Sequence, residues 1–334
     1  MLQLLTIFLF GFPQADDLVA LKEEFNQEAP KAWEKYATRA KRLQGKWTLT
    51  ERKVGFAEAI SEERGEFKQR EGCSLFIGQF IREGGKPSLE GELTAVNPYY
   101  SFRLRRSAPE GAWSIGRVGH GPLTPSSRED PSRAVESILK TPYTFSSIVS
   151  TLAVSLADPG FSIDKVTFFD YEGDRLHKVE FRYSPLEDAA RRPLRRGWVL
   201  LDPKRYWVMR AFEATAKWGE NDTNYVASFQ YHDTRGGFPI LKQVSVRRKI
   251  PSKNREFETT QTYELEERDV AETEFRLSAF GFREPPGVPI PAGTRWYLWF
   301  MGIAAVSLVL GWFLWRNLQQ RKLAAAKPKV GNAI

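Results

Sequence analysis

The sequence predicts a mainly β protein with helices: one antiparallel sheet packed on an N-terminal helix and a central helical pair, followed by one C-terminal transmembrane helix. Three observations predict it. Apolar residues alternate with polar ones on both sides of a helix-period interlude, an amphipathic helical stripe opens the chain, and an uncharged run of 20 residues lies near its end.

The first apolar stretch, Leu2 to Phe12, is too short to span a bilayer comfortably and reads as a signal peptide over residues 1–15, with the best cleavage point after Ala15. Asp16 and Asp17 then suit a helix start, and Leu18, Leu21, Phe25, Ala29, Trp33, Tyr36, Ala40 and Leu43 fall on one helical face. That helix is expected to kink or restart at Pro30 and to stop near Gly45. From there to about residue 120 the period is two, as in Tyr100, Phe102 and Leu104 against Ser101, Arg103 and Arg105.

Asp130-Pro131 opens a helical segment through Ala134, Val135, Ile138 and Leu139, and a second is expected after Pro142, through Ile148, Val149, Leu152 and Leu156. Alternation then resumes. Val179, Phe181 and Tyr183 oppose Lys178, Glu180 and Arg182, while Tyr225, Ala227, Phe229 and Tyr231 oppose Val226, Ser228, Gln230 and His232. Such strands have one wet and one apolar face, as antiparallel sheets do. Gly173-Asp174 and Arg235-Gly236-Gly237 look like hairpin turns. The expectation is a single sheet of about nine to eleven strands between Gly45 and Leu277, within one domain over residues 16–283.

A Pro-rich linker, residues 284–295, leads into Trp296 to Trp315, long enough as a helix to span about 30 Å of hydrocarbon. Trp296, Tyr297 and Trp299 at one end and Trp312 and Trp315 at the other match interfacial aromatic belts. The tail, residues 316–334, holds five basic and no acidic residues, which places it in the cytoplasm and the large domain outside. From Arg295 onward six basic residues meet no acidic one, so the preceding region carries 43 basic against 41 acidic residues. The net charge of +8 therefore belongs to the anchor, and a nucleic-acid partner is not expected. The lone Cys73 excludes an intrachain disulfide; export without disulfides fits a bacterial (periplasmic) envelope.

The chain resembles the LolA/LolB-like half-barrel proteins of the lipoprotein-carrier class. The likeness is one of order over roughly residues 17 to 280: an N-terminal helix running into Trp47-Thr48-Leu49-Thr50, Asn97-Pro98-Tyr99-Tyr100-Ser101-Phe102 leading a strand, a helical pair, then Arg196-Gly197-Trp198-Val199-Leu200-Leu201-Asp202-Pro203 and Tyr206-Trp207-Val208-Met209-Arg210 opening the later meander. The resemblance implies a strongly curved sheet (a half-barrel) around the helices, with an apolar concavity that receives acyl chains of lipid or lipoprotein. On that reading the ligand face is Phe102, Leu104, Phe181, Tyr183, Phe229 and Tyr231, with Ile148 and Leu152 from the helical pair. A fixed anchor departs from a freely diffusing carrier, and the signal boundary lacks a lipobox cysteine.

Catalysis finds little support. His120, His177 and His232 read as surface or turn residues, no HExxH, GxSxG or Gly-rich phosphate loop is present, and Glu62-Glu63 and Glu266-Glu267 read as solvated acids. No enzyme, metal or cofactor is expected. The basic clusters Arg103/Arg105/Arg106, Arg191-Arg192 with Arg195-Arg196, and Arg247-Arg248-Lys249 read as wet faces balanced by neighbouring acids, with anionic headgroups as the other reading. The competing function is a non-catalytic envelope scaffold or sensor domain that binds another protein.

Overall fold

The computed structural model describes residues 15–84, 86–88, 90–108, 110–121, 131–145, 154, 156–184, 194–234, 236–289, 301, 303–304 and 306–316. The chain divides into two compact units, Met1–Arg283 and Glu284–Ile334. The expected signal peptide, the second helix of the central pair and the basic tail lie largely outside the described residues.

In the first unit, helix α1 (Ala15–Ala40) precedes strands β1 (Leu43–Lys53), β2 (Ala59–Arg70), β3 (Cys73–Glu83), β4 (Lys86–Pro87), β5 (Gly91–Val96), β6 (Tyr100–Arg106) and β7 (Ser114–His120). Helix α2 (Pro131–Lys140) separates these from β8 (Phe161–Tyr171), β9 (Asp174–Tyr183), β10 (Leu194–Asp202), β11 (Val208–Trp218), β12 (Asn221–Asp233), β13 (Pro239–Ile250) and β14 (Arg255–Glu267). Among the described residues one curved sheet holds all fourteen, in the order β7-β6-β5-β3-β2-β1-β14-β13-β12-β11-β10-β9-β8, with β4 paired to β3. The chain meanders outward from β1, crosses over, and meanders back until β14 pairs antiparallel with β1, from Leu43 opposite Glu267 to Lys53 opposite Phe257. The count exceeds the expected nine to eleven in part because β4 has two residues and β7 sets its apolar Ile115 and Val118 three apart, so neither displays a period of two.

One stripe of α1, formed by Leu21, Phe25, Ala29, Trp33, Tyr36 and Ala40, is buried against the sheet. The helix lies across many strands. Lys22 donates to the Ile163 carbonyl on β8 (2.7 Å), Trp33 to that of Trp207 ahead of β11 (3.0 Å) and Tyr36 to that of Pro239 on β13 (3.2 Å), while Arg39 pairs with Glu267 on β14 (2.6 Å). The helix continues through Pro30 without a restart. Pro30 and Asn26, whose carbonyl loses its helical donor, are both exposed, so water can satisfy that carbonyl. The helix also ends before Gly45, which sits inside β1. A Cβ there would lie 2.0 Å from the Glu264 carbonyl oxygen, so the cross-strand approach, not a helix stop, requires glycine.

Helix α2 buries Val135, Ile138 and Leu139 in the same core and packs on β2, β3 and β5. The expected hairpin at Gly173 is present: Glu172 (φ 52°) and Gly173 (φ 88°) form the two-residue turn between β8 and β9.

In the second unit, the described residues 301, 303–304 and 306–316 are helical and expose Met301, Ile303, Val306, Leu308, Val309, Leu310, Trp312, Phe313, Leu314 and Trp315. Among the described residues no helix is long and apolar enough to cross a membrane. Trp296 to Phe300 of the uncharged run lie outside them.

Candidate functional site

Paired residues of an antiparallel ladder project on the same side, so the register assigns the faces. One row runs Tyr263, Trp47, Gly65, Gly78, Glu92 and Arg105 across β14, β1, β2, β3, β5 and β6. A second runs Phe229, Val244, Gln261, Leu49, Glu63 and Phe80 across β12, β13, β14, β1, β2 and β3. Trp47, Phe229 and Val244 belong to the core beneath α1, so both rows lie on the concave face.

The later half of that face is filled by the chain itself. Phe181 meets Phe145 at 5.4 Å and Phe161 at 5.0 Å, Tyr183 meets Phe161 at 4.9 Å, and Phe229 meets Phe212 at 6.1 Å. Tyr231, half-buried, donates to the Met209 carbonyl at 2.8 Å. Ile148 and Leu152 lie outside the described residues.

Phe102 and Leu104 are buried on the opposite, convex face and are not brought together with Phe181, Tyr183 and Phe229. Their rows run Lys68, Leu75, Ala95, Phe102 and Glu66, Ile77, Leu93, Leu104. Residues beyond β14 supply their cover. Phe280 lies 5.9 Å from Phe102, Asn97 donates to the Phe275 carbonyl, and the Tyr100 hydroxyl accepts from the Leu277 amide. Lys68 pairs with Glu274 at 3.0 Å.

Over the early strands the concave side carries a hollow of about 750 Å³, lined by Glu63, Phe76, Gly78, Phe80 and Arg105 among others and, at its edge, by Gly91 and Arg106. Phe80 is 40% exposed. Trp47 stacks on Phe76 at 5.7 Å, over the bare backbone of Gly65. Glu63 lies over Gly78, where a Cβ would come within 3.2 Å of its Oε1. Arg105 is directed to Glu92 (3.6 Å), which also takes Arg103 (3.2 Å). Burial with no compensating cation raises the Glu63 carboxyl from 4.5 to about 7.

Sequence reasoning missed this site and placed Glu63 in solvent. A signal was present in Phe76-Ile77-Gly78-Gln79-Phe80, which sets two rings and a gap on one face of β3.

Of the histidines, His120 ends β7 and His232 lies near the end of β12, both exposed, as expected. His177 differs. It is buried on β9 between Phe168 (5.0 Å) and Trp207 (4.8 Å), with Nε2 3.7 Å from Glu24, and burial lowers its pKa from 6.5. Cys73 is a core residue whose thiol burial pushes up to about 11.

The two buried groups give opposite pH slopes. The folded state holds the Glu63 proton more tightly than the unfolded chain, so stability should fall as pH rises from 4.5 to 7, by about 1–2 kcal/mol after allowance for partial solvation. The folded state disfavours charged His177, so its contribution is present above 6.5 and is lost below. Glu63→Gln should therefore stabilise the protein at pH 7.5 and leave a decline on acidification. Urea midpoints at pH 5, 6 and 7.5 measure this, and identical profiles for both proteins would sink the Glu63 assignment.

No known protein-family model matches the chain, and no curated protein matches it. Among solved structures, it is similar to a putative outer membrane lipoprotein-sorting protein domain from Vibrio parahaemolyticus, at 11% identity over 75% of this chain and 99% of that one, with a TM-score of 0.37. It is also similar to a LolA superfamily protein from Nitrosomonas europaea, at 9% identity over 74% of this chain and 97% of that one, with a TM-score of 0.36. Likenesses at this level do not assign the chain to a family.

Proposed function

We propose that this chain is a membrane-tethered module of the cell envelope whose extracytoplasmic domain holds acyl chains of lipid or lipoprotein in the open hollow of the concave face. The observation that carries the reading is the exposed Phe80 with the half-buried Phe76 lining a hollow of about 750 Å³. That size suits a ligand pocket, and each methylene buried there contributes about 0.8 kcal/mol. Anchoring rests on the run Trp296 to Trp315 and the basic residues beyond it, and the exposed apolar side chains among the described residues of that run suit a lipid surround.

The full chain should stay with membranes through alkaline washing and, after detergent extraction, carry phospholipid detectable by native mass spectrometry. Phe80→Lys should abolish the lipid adduct without releasing the protein, because Phe80 is not a core ring. Charged replacements of Phe181 or Phe229 would instead unfold the domain. A clean apo mass for the unmodified chain would transfer the domain to the protein-binding scaffold reading, and release by the wash would remove the anchor.

A further inference from the structure

On the convex face a third row runs Thr262, Thr48, Arg64, Gln79, Gly91 and Arg106 across β14, β1, β2, β3, β5 and β6. Its two guanidiniums converge on one amide oxygen. Gln79 Oε1 accepts from Arg64 Nε at 3.3 Å and from Arg106 Nη2 at 3.5 Å. Arg106 reaches it by lying across Gly91, where a Cβ would come within 2.8 Å of its Nε. The Trp113 ring holds it from the other side, 4.5 Å from the guanidinium carbon.

This row is short of acceptors and of negative charge. Gln79 is 3% exposed, and neither its Nε2 nor Arg106 Nε has a hydrogen-bond partner among the described residues. The neighbouring Arg103 and Arg105 share Glu92, whereas among the described residues no carboxylate pairs with Arg64 or Arg106. The two acids at the same groove, Glu66 and Glu264, flank Lys46 in register, and Glu66 also takes Lys68 at 3.3 Å. Burial and the charge of Arg64 lower the pKa of Arg106, the mark of cations crowded without a counter-charge.

We propose that Arg64, Gln79 and Arg106 form a binding site for a phosphate-type oxyanion, in the groove of about 470 Å³ that they line with Trp113 and Lys46. Planar guanidinium donors suit tetrahedral oxyanions, and each anion-to-guanidinium bond is stronger than a neutral one. The ligand is either a soluble phosphate compound or the exposed phosphate of a lipid headgroup. Arg64 and Gln79 do not line the acyl hollow, whereas Gly91 and Arg106 do, so the site adjoins the hollow through Arg106.

The test is isothermal titration of the full chain in a non-ionic detergent with inorganic phosphate and, separately, with phosphatidic acid dispersed in the same detergent. Saturable binding of either probe is expected, weakened about tenfold or more by Arg64→Gln and by Arg106→Gln. Gly91→Ala should weaken it similarly by displacing the Arg106 side chain with no change of charge. Phosphate binding marks a soluble ligand, and binding of phosphatidic acid alone marks a headgroup. Absence of saturable binding to both probes would overturn the proposal. So would variants that bind as the parent does, or a Gly91→Ala protein that binds normally while the arginine variants weaken, since that reports unspecific attraction.

Discussion

Trp33→Ala should lower the stability of the domain by about 3–5 kcal/mol, read as a fall in the urea midpoint at unchanged slope. Trp33 is 5% exposed and meets α2's sequel through Tyr143, stacked at 6.1 Å, and its own helix through Phe25 at 6.1 Å. Its indole N–H is also the partner of the Trp207 carbonyl. That carbonyl sits in a tight bend where Tyr206 (φ 60°) and Trp207 (φ 54°) both hold left-handed backbone, a conformation that persists only when its surroundings over-determine it. Trp33→Phe separates the two contributions. It keeps most of the buried ring but strands the carbonyl, so a loss of about 1–3 kcal/mol is expected. A loss below about 1 kcal/mol for Trp33→Ala would mean that α1 is not seated on the sheet as described.

The stripe on α1 was legible because six buried residues repeat at helical spacing, and the strands were legible wherever they were long enough to alternate several times. Alternation says which residues of a strand share a face. It does not say which side of the sheet that face occupies. Phe102 and Leu104 illustrate the difference: they alternate as cleanly as Phe181 and Tyr183, yet they point away from α1, because residues beyond β14 return to cover the convex side of β3, β5 and β6. Those residues form two short 3₁₀ turns, Glu272–Phe275 and Leu277–Phe280, with no period to announce them. Glu63 was read as solvated for a related reason. Its burial arises from register, which places it in the row of Leu49 and Phe80 and above Gly78, a relation among three strands that no local pattern contains. His177 is buried because Phe168 from β8 and Trp207 from the bend before β11 close over it.

Gly65 offers the sharpest test of that register. A Cβ at position 65 would lie 2.2 Å from the Ile77 carbonyl oxygen and 2.7 Å from the Trp47 ring, so even Gly65→Ala must either lift the indole or spread β2 from β3. Overpacking of this kind costs about 1–3 kcal/mol, and Gly65→Val should reach at least the upper end because a branched side chain cannot turn both methyl groups away. The two obstacles can be told apart with a second substitution. Trp47→Ala alone should cost about 3–5 kcal/mol through loss of a buried ring stacked on Phe76. If the indole were the whole obstacle, adding Gly65→Ala to Trp47→Ala would cost nothing further. The Ile77 carbonyl remains in place after the ring is gone, so the double variant should be less stable than Trp47→Ala by about 1 kcal/mol or more, and the amount by which this falls short of the cost of Gly65→Ala alone is the interaction energy that the double-mutant cycle gives. Equal stability of the two would show that β2 and β3 are not held at the separation that brings Glu63, Phe76 and Phe80 together over the hollow.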